Sequence, residues 1–242
     1  MNLDEYKKMA EMENSHWWFV AKRNFLKFFI KNNFAEIKGL KVLDIGCGTG
    51  AILQMLSDLG ADAIGVDMSD EALKFCREKN LNVVLGKGES IPFEAGEFDL
   101  ALASDVLEHV DDDAGAVREI ERVLKPGGVL IATVPAHQWL FSAHDRSLHH
   151  RRRYSKNEFR KLLKKNFNEV NISWIHSAIL IPAIIQRTLT KLIKFKDSGI
   201  SGNIYLNKIV GHWYRLELAI VEKYNNLPFG LSLIGVAKKQ VQ

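Results

Sequence analysis

The sequence predicts an α/β protein in which a mostly parallel β-sheet is covered by helices on both faces. Between residues 41 and 175, short apolar runs that end in turn residues alternate with segments of helical periodicity. This alternation is typical of βαβ units, whose crossover connections make neighbouring strands parallel. The 242 residues are 47% hydrophobic and 26% charged, which is ordinary for a globular chain able to bury its own core.

Each predicted element follows from its local pattern. The apolar runs predict strands at Lys41–Ile45, Ala63–Asp67, Asn82–Leu85, Phe98–Ala103, Val129–Val134, Val170–Ile175 and Leu231–Ala237. Helical periodicity predicts helices at Ala51–Leu59, from the N-cap Ser69 to about Lys79, at Asp111–Leu124 and at Ser155–Asn166. Pro126-Gly127-Gly128 is expected to end the third of these helices.

Four segments organise the predicted single domain. Residues 1–38 form a helical leader, in which Met9, Met12, Trp17, Phe25, Phe28 and Phe29 recur at roughly helical spacing. Residues 39–176 form the sheet core, and residues 227–242 carry the final strand. Residues 177–226 form an apolar helical insertion, which is larger than a connector and is expected to determine substrate specificity.

Composition excludes several protein classes. The chain has two cysteines, no basic-then-apolar leader, and a longest apolar run, residues 178–185, that is far shorter than the roughly 20 residues of a membrane span. We therefore expect a cytoplasmic protein without a disulfide framework. A net charge of +4 is too small to indicate nucleic-acid binding, and no obligate protein partner is evident.

The most informative motif is the glycine turn after the first predicted strand. Its spacing is G-x-G-x-G, at Gly46, Gly48 and Gly50, whereas dinucleotide sites require G-x-G-x-x-G. Asp44 precedes the first glycine, and its charge would repel a pyrophosphate but favour a ligand that carries an ammonium and a sulfonium. Asp67 closes the second strand, where an acid can accept hydrogen bonds from ribose, and Met68 could lie against an adenine.

These motifs give residues 41–135 a resemblance to the class I S-adenosylmethionine-dependent methyltransferase family. The matching segments are Asp44–Gly50, Gly65–Asp67, Ile91–Phe93, Phe98-Asp99, Val106–His109 and Arg122–Gly128. The resemblance implies a Rossmann-like, three-layer, doubly wound fold with seven strands, of which the last is antiparallel. It also implies S-adenosylmethionine as the cofactor and S-adenosylhomocysteine as the product.

The resemblance also assigns the cofactor residues. The amino-acid end of the cofactor would be held by Asp44, Gly46, Cys47, Gly48 and Gly50. The adenosine and the pocket wall would involve Asp67, Met68, Gly88, Glu89 and Asp105. Lys87 stands where the family often has an acid, which favours a backbone contact at Gly88 over recognition of the adenine amino group by a side chain.

Further motifs extend the resemblance over nearly the whole chain. They are Glu13–Phe19 with Arg23, Ser142–Asp145, His150–Tyr154 and Pro228–Ser232. Together they are similar to a subgroup of bacterial and archaeal methyltransferases that often belongs with surface-glycan or lipid-linked sugar synthesis. The leader would then be a lid over the cofactor pocket, although Trp17 and Trp18 could equally be core anchors. The predicted acceptor-binding residues are His16, Trp17, Trp18, Arg152, Arg153 and Tyr154.

Histidines are the candidate catalytic groups, because a hydroxyl acceptor needs a base whose pKa is near the operating pH. The candidates are His109, His144, Asp145 and His150, and for His109 the alternative is a role in ordering its loop. Arg152 and Arg153 could bind a phosphate or carboxylate. His137, His144, Asp145, His149 and His150 show no recognised metal-ligand spacing, so the sequence predicts no metal site.

The insertion allows two interpretations. Its apolar stripe comprises Ile181, Ile184, Ile185, Leu189, Leu192 and Ile193, with Arg187, Lys191, Lys194 and Lys196 on the polar side, and a second stripe follows at Ile204–Val221. The helices either bury these stripes against each other and the sheet, or form an apolar cleft that contacts a membrane surface peripherally.

The leading hypothesis is therefore a methyltransferase that acts at an oxygen of a small-molecule or lipid-linked acceptor, which could be a sugar. One alternative is a catalytically silent cofactor-binding subunit of a glycan-assembly complex. The other is a nicotinamide oxidoreductase, which the G-x-G-x-G spacing disfavours.

Overall fold

The computed structural model of the chain describes residues 3–193, 204–224 and 226–241. A seven-stranded sheet runs through its centre. The strands are β1 Lys41–Ile45, β2 Asp62–Asp67, β3 Val83–Leu85, β4 Phe98–Ser104, β5 Leu124–Pro135, β6 Glu169–Ile175 and β7 Ser232–Lys238. The helices are α1 Leu3–Met12, α2 Trp17–Asn33, α3 Ala51–Asp58, α4 Asp70–Glu78, α5 Asp113–Val123, α6 Ala143–Ser147, α7 Lys156–Lys164, α8 Leu180–Ile193 and α9 Ile204–Tyr224.

The strand order is β3-β2-β1-β4-β5-β7-β6. Strand β1 pairs in parallel with both β2 and β4, and β4 pairs in parallel with β5. Strand β7 is antiparallel to its two neighbours, β5 and β6. The predicted fold class, a doubly wound sheet whose last strand is antiparallel, is therefore confirmed.

Two apolar cores cover the two faces of the sheet, as parallel strands require. On one face, helices α2, α3, α4 and α9 bury side chains that include Phe25, Leu53, Leu73 and Tyr214. On the other face, helices α5 and α7 bury side chains that include Ile120 and Phe159. Alternate residues of each strand point into opposite cores, as Val42 and Leu43 of β1 do.

The leader and the region around β5 differ in detail from the predictions. The leader consists of two helices, and His16 caps the second by accepting a hydrogen bond from the backbone N–H of Trp18. Strand β5 begins at Leu124, ahead of the Pro-Gly-Gly sequence, because Leu124 is extended and pairs with Phe98 before an irregularity in the β4–β5 ladder. Helix α6 was not predicted, since five residues are too few for a periodic signal.

The insertion forms helices α8 and α9. Helix α9 packs against the leader, where the ring of Tyr214 stacks on that of Trp17 at a centroid distance of 5.4 Å. The predicted basic residues Lys194 and Lys196 lie outside the described residues, as do the side chains of Leu189, Lys191, Leu192, Ile193 and Ile209. In the described ranges, no helix is long and apolar enough to cross a membrane.

Replacing Phe159 with alanine is expected to lower the free energy of unfolding by about 3–5 kcal/mol, because the side chain is fully buried between α7 and β7. A β-carbon built on Gly235 of β7 would lie only 2.8 Å from the Phe159 ring, so the fit is close. Urea denaturation measures the loss. Lys161→Ala, on the exposed side of the same helix, is the control and should change the free energy by less than about 0.5 kcal/mol. Equal midpoints for the two variants would contradict this packing.

Candidate active site

The strand order reverses between β1 and β4, and we call the space beyond the carboxyl ends of these two strands the crevice. From β1 the chain crosses to β2 on one side, whereas β4 continues the sheet on the other side. The loops after the two strands therefore diverge, and in open α/β sheets ligands bind at this point. The loop after β1 is the glycine turn, and the loop after β4 contains Asp105, Glu108 and His109.

The glycine turn has a backbone that other residues adopt with strain. Gly46, Gly48 and Gly50 have φ angles of 66°, 54° and 88°. A β-carbon on Gly46 would lie 2.6 Å from Cγ2 of Val106, so the turn after β1 and the loop after β4 approach each other closely. The backbone N–H groups of Gly46 and Cys47 both donate to the carbonyl of Val66, at 2.7 and 3.1 Å, which holds the turn against β2.

Asp44 is a buried carboxyl with no partner of its own. It is 1% exposed, and within the described part of the chain neither of its carboxyl oxygens makes a hydrogen bond. Burial, with a smaller contribution from the negative charge of Asp67, raises the pKa of Asp44 to about 8. An unpartnered buried carboxyl is costly unless a ligand supplies a donor or a positive charge, so this site fits a cationic ligand group.

Asp67 is held rigidly at the end of β2. Its two carboxylate oxygens accept hydrogen bonds from the backbone N–H groups of Gly48 and Ser69, each at 3.0 Å. Burial raises the pKa of Asp67, and these hydrogen bonds oppose the shift. Each oxygen keeps a further lone pair for hydroxyl donors, which fits a ribose. The next residue, Met68, is 69% exposed.

The segment after β3 contains Gly88 and Glu89, both half-buried, next to a bridge between Lys87 and Ser90. A β-carbon on Gly88 would make ordinary contacts of 3.8–3.9 Å with Val110, Ala116 and Ile45. The structure therefore places this segment over the end of β1 without requiring a glycine there. The predicted contact with adenine stays a prediction.

The leader lies over the glycine turn. Cε of Met9 in α1 would be 2.9 Å from a β-carbon on Gly48, and Tyr6 packs near Ser69 at the start of α4. The buried carboxylate of Glu13 accepts hydrogen bonds from the hydroxyl of Thr49 and the ammonium of Lys79. The leader thus contacts the candidate cofactor site directly. Its role as a lid stays a prediction.

The two adjacent tryptophans join the leader to the insertion. Trp17 is buried and stacks on Tyr214 of α9, while Trp18 lies against His176, with ring centroids 4.3 Å apart. Burial, and next the positive charge of Lys22, lower the pKa of His176 to about 3. His16 serves as the cap of α2. Their contacts are internal, as the core-anchor alternative predicts.

Asp105 stands at the end of β4 in a left-handed conformation, with φ of 55°. Its carboxylate pairs with Lys22 of the leader and accepts a hydrogen bond from the Thr133 hydroxyl at 2.8 Å. Burial opposes ionisation of Asp105, yet the charge and hydrogen bond of Lys22 outweigh it and lower the pKa to about 2. Asp105 therefore lines the crevice as a paired carboxylate.

Beyond Asp105, three ligand-type side chains meet. One ligand atom from each of Glu108, His109 and His150 lies within 4.8 Å of the other two. The two imidazole rings meet edge to face, with centroids 4.7 Å apart. Burial, and next the proximity of His150, lower the pKa of His109 to about 4, so this imidazole is neutral at pH 7. Burial raises the pKa of Glu108.

Asp145 organises the loop that carries His150. Its buried carboxylate accepts hydrogen bonds from the backbone N–H of Ser142 at 2.9 Å, from Nδ1 of His150 at 3.2 Å and from Nε of Arg153 at 2.7 Å. Arg187 of α8 lies 3.4 Å from the same carboxylate. Although burial alone would raise it, the pKa of Asp145 falls well below its usual range because of these partners. Asp145 thus orients His150.

The three consecutive arginines and Tyr154 make internal contacts. Arg151 pairs with Asp111, Arg152 pairs with Asp113 at 3.0 Å, and Arg153 pairs with Asp145. The hydroxyl of Tyr154 donates to the carbonyl of Leu107 at 3.0 Å or the Asp113 carboxylate at 2.8 Å. These contacts tie residues 151–154 to the loop after β4. Arg152, Arg153 and Tyr154 thereby hold His150 opposite His109.

The other candidate histidines are not among the three ligand-type side chains that meet. Nε2 of His137 makes a hydrogen bond with the carbonyl of Gly230 at 2.9 Å, and its ring stacks on Trp174. His144 belongs to the short helix α6 and is half-buried, whereas His149 is exposed. Of the four predicted catalytic residues, the structure brings together His109, His150 and Asp145.

Sequence reasoning missed two residues of the site. Glu108 was part of the motif that carried the resemblance but was not selected, although a glutamate directly before a candidate histidine after a strand was an available signal. Lys22 gave no signal, because its contact with Asp105 spans 83 positions and depends on how the leader packs.

Comparison with known proteins identifies a methyltransferase domain within the chain. Residues 43–132 match the family described as a methyltransferase domain. The ubiquinone biosynthesis O-methyltransferase of Methylococcus capsulatus is 37% identical over 102 residues, which cover 39% of this chain and 43% of that protein. The demethylmenaquinone methyltransferase of Corynebacterium kroppenstedtii is 44% identical over 92 residues, which cover 38% and 40%. The chain thus spans less than half the length of these relatives.

Solved structures share the fold over a longer stretch. A methyltransferase from Haloferax volcanii, solved with the Trm112 methyltransferase activator, has a TM-score of 0.64 at 22% identity and covers 99% of this chain and 96% of that one. Phosphoethanolamine N-methyltransferase 2 of Haemonchus contortus, solved with S-adenosylmethionine, has a TM-score of 0.54 at 19% identity and covers 85% and 49%. Residues 43–132 thus carry a methyltransferase domain, and the chain as a whole has the fold of these solved structures.

Proposed function

We propose that this protein is an enzyme that transfers a methyl group from S-adenosylmethionine to a hydroxyl oxygen of a small-molecule acceptor. The observation that carries the proposal is the unpartnered, buried carboxyl of Asp44 beneath the glycine turn. A pyrophosphate would be repelled there, whereas the ammonium of S-adenosylmethionine supplies the missing charge and donors.

The residues around the turn fit the rest of the cofactor. Asp67 would accept hydrogen bonds from the two ribose hydroxyls, because the backbone already fixes both of its oxygens in place. Met68, Gly88 and Glu89 would surround the adenine, and Asp105 would form the wall between the cofactor and the acceptor. The bound cofactor supplies an activated methyl group, so the protein mainly has to position the acceptor oxygen behind that group.

The acceptor side is the loop after β4 and the loop around His150. His109 and His150 face each other there, and Asp145 holds the imidazole of His150. We assign these two imidazoles to activation of the acceptor hydroxyl, with Asp145 as the positioning residue. His144 stays a further candidate on the neighbouring helix α6.

The exposed apolar side chains of the insertion favour an acceptor that carries a lipid tail. Trp213, Leu216 and Ile220 of α9 form one exposed apolar stripe, and Ile181 and Ile185 of α8 are exposed as well. Arg215 and Lys223, both exposed, add positive charge to α9. Such a surface fits peripheral contact with an anionic membrane, from which a prenyl- or acyl-linked acceptor, a lipid-linked sugar included, would be taken.

A second candidate is a cofactor-binding subunit without turnover, which would act through a partner. The contacts of Arg152, Arg153 and Tyr154 with other parts of this chain favour it, since they remove the predicted acceptor ligands from the site. The related fold from Haloferax volcanii was solved with an activator protein, so a protein partner is a natural part of this alternative.

S-adenosylhomocysteine is expected to bind more tightly as the pH rises from 6 to about 8. Below about pH 8, its binding should release a proton from the carboxyl of Asp44. The pKa of Asp44 is about 8 without ligand, and a neighbouring ammonium favours the carboxylate, so each pH unit below 8 weakens binding roughly tenfold. Titration calorimetry in two buffers of different ionisation enthalpy measures both effects. Asp44→Asn should bind at least about tenfold more weakly at pH 8.5 and lose this component of the pH dependence. The same dependence in both proteins would contradict the role of Asp44.

Transfer of a tritiated methyl group is expected with at least one hydroxylated acceptor among a phenol, a catechol, a prenylated catechol and a polyprenyl-linked sugar. His109→Asn and His150→Gln should each lower kcat about 10²–10⁴-fold, because the pair of imidazoles that activates the acceptor hydroxyl is then incomplete, while affinity for S-adenosylhomocysteine changes less than twofold. The exposed neighbour His149→Asn is the control and should keep full activity. Normal cofactor binding without turnover on the whole panel would favour the silent subunit.

Co-sedimentation with anionic liposomes is expected, and should decrease as salt rises because part of the attraction is electrostatic. Trp213→Ser with Ile220→Ser should move most of the protein to the supernatant. Leu85→Ser, an exposed apolar residue on the far edge strand β3, is the control and should not. Equal recovery of all three proteins in the supernatant would count against membrane contact.

A further inference from the structure

We propose that Glu108, His109 and His150 form a binding site for one divalent first-row transition-metal ion. This inference deepens the proposed function, on which it rests, because the ion would act on the acceptor hydroxyl of that same site. Two imidazoles and one carboxylate form a ligand set that suits Zn²⁺, Fe²⁺, Co²⁺ or Mn²⁺ and leaves coordination positions open for a substrate.

Glu108 provides the first argument. Its side chain is 0% exposed, and in the described part of the chain both carboxyl oxygens lack a hydrogen-bond partner. Native proteins rarely bury a carboxyl without a partner, because burial then costs free energy that nothing offsets. The nearest imidazole atom, Nε2 of His150, lies 4.0 Å from Oε1 of Glu108, which is too far for a hydrogen bond. A cation between these two atoms would satisfy both.

The orientation of His150 provides the second argument. Nδ1 of His150 faces the carboxylate of Asp145 at 3.2 Å, and so carries the proton, which leaves the lone pair of Nε2 directed toward Glu108. Metal-binding histidines typically donate their second N–H to a carboxylate or carbonyl, which fixes the ring and its tautomer. His150 has such an outer partner in Asp145.

The distances allow coordination after a small movement. The three ligand atoms lie within 4.8 Å of one another, and bonds of about 2.0–2.2 Å to one ion require about 3–3.5 Å between neighbouring ligand atoms. Rotation of the half-buried rings of His109 and His150 can close this difference, whereas Glu108 is already fixed by burial.

The surrounding charges do not oppose a cation. Arg151 pairs with Asp111, Arg152 with Asp113, and Arg153 with Asp145. Each guanidinium beside the cluster therefore has its own carboxylate, and the ligand set adds the carboxylate of Glu108. The site can thus accept positive charge although the local sequence is strongly basic.

A metal ion here would activate the acceptor by lowering the pKa of its hydroxyl. The acceptor O–H bond breaks and its proton leaves to water, and the oxygen then forms a bond to the methyl carbon. The methyl–sulfur bond breaks with its electron pair kept by sulfur, so the sulfonium becomes a neutral thioether. No oxidant or reductant is needed.

This inference departs from the sequence-based prediction of no metal site, which weighed a different set of residues. Of that set, His137 makes a hydrogen bond with Gly230 and stacks on Trp174, and Asp145 is the outer hydrogen-bond partner of His150. Only His150 is shared, and it joins Glu108 and His109 from 41 or more positions away through tertiary structure.

The test is titration of the chelator-treated full chain with Co²⁺, followed by visible absorption and calorimetry. One Co²⁺ per chain should bind and produce ligand-field bands, which Zn²⁺ then displaces. Glu108→Gln and His150→Gln should each weaken binding at least about tenfold, since even the loss of an outer partner weakens metal binding by roughly 10–100-fold. His149→Asn, next to the site but outside it, should bind as the wild type does.

Thermal unfolding with and without Co²⁺ shows for each variant both that it folds and whether it binds the ion. Saturating Co²⁺ should raise the Tm of the wild type and of His149→Asn, because the ion binds the native state, and should not raise that of Glu108→Gln. Without metal, Glu108→Gln should be at least as stable as the wild type, which shows that it folds. Binding that is absent, or equal in the wild type and Glu108→Gln, would overturn the site.

A parallel titration of the same metal-free protein with S-adenosylhomocysteine separates the two proposals. If that ligand binds and Co²⁺ does not, the metal site is overturned and the proposed function stands. If Co²⁺ binds through Glu108 and His150 but S-adenosylhomocysteine does not bind, the metal site stands and the proposed function fails.

Discussion

The structure depends on the pairing of β1 with both β2 and β4, because this pairing places the reversal of strand order at the centre of the sheet. The loops after β1 and β4 diverge there, and the glycine turn and the loop of Asp105 face one crevice. The close approach of Gly46 to Val106 shows how tightly these loops are set against each other. The proposed cofactor and acceptor sites would therefore adjoin, as direct methyl transfer requires.

The buried and half-buried carboxyls around this crevice divide into two groups. Asp67, Asp105 and Asp145 are satisfied by backbone N–H groups or by cationic side chains, and they hold the architecture of the site. Asp44 and Glu108 are buried without partners in the described part of the chain. Since an unsatisfied buried carboxyl costs stability, the two positions mark where ligands would contribute most, one toward the cofactor and one toward the acceptor.

The leader connects these sites to the insertion. Glu13 reaches Thr49 of the glycine turn, Lys22 reaches Asp105 at the end of β4, and Trp17 stacks on Tyr214 of α9. One short stretch of chain thus contacts the cofactor loop, the wall of the acceptor site and the exposed apolar helix. A displacement of the leader would change all three contacts at once, which would give the proposed lipid contact at α9 a physical route to the crevice.

The sequence by itself determined the strands, the glycine turn and the acid at the end of β2, because hydrophobic period and glycine spacing are local properties that every βαβ unit must satisfy. It also indicated His109 and the region of His150. Only the tertiary structure decided that Lys22 pairs with Asp105, that the arginine run pairs with the protein's own acids, and that Glu108 meets two histidines. Most of these contacts join residues 39 or more positions apart, and the meeting of Glu108 with the histidines also depends on which side chains burial leaves without partners. No local pattern encodes either property, since both arise only when the loops are packed together.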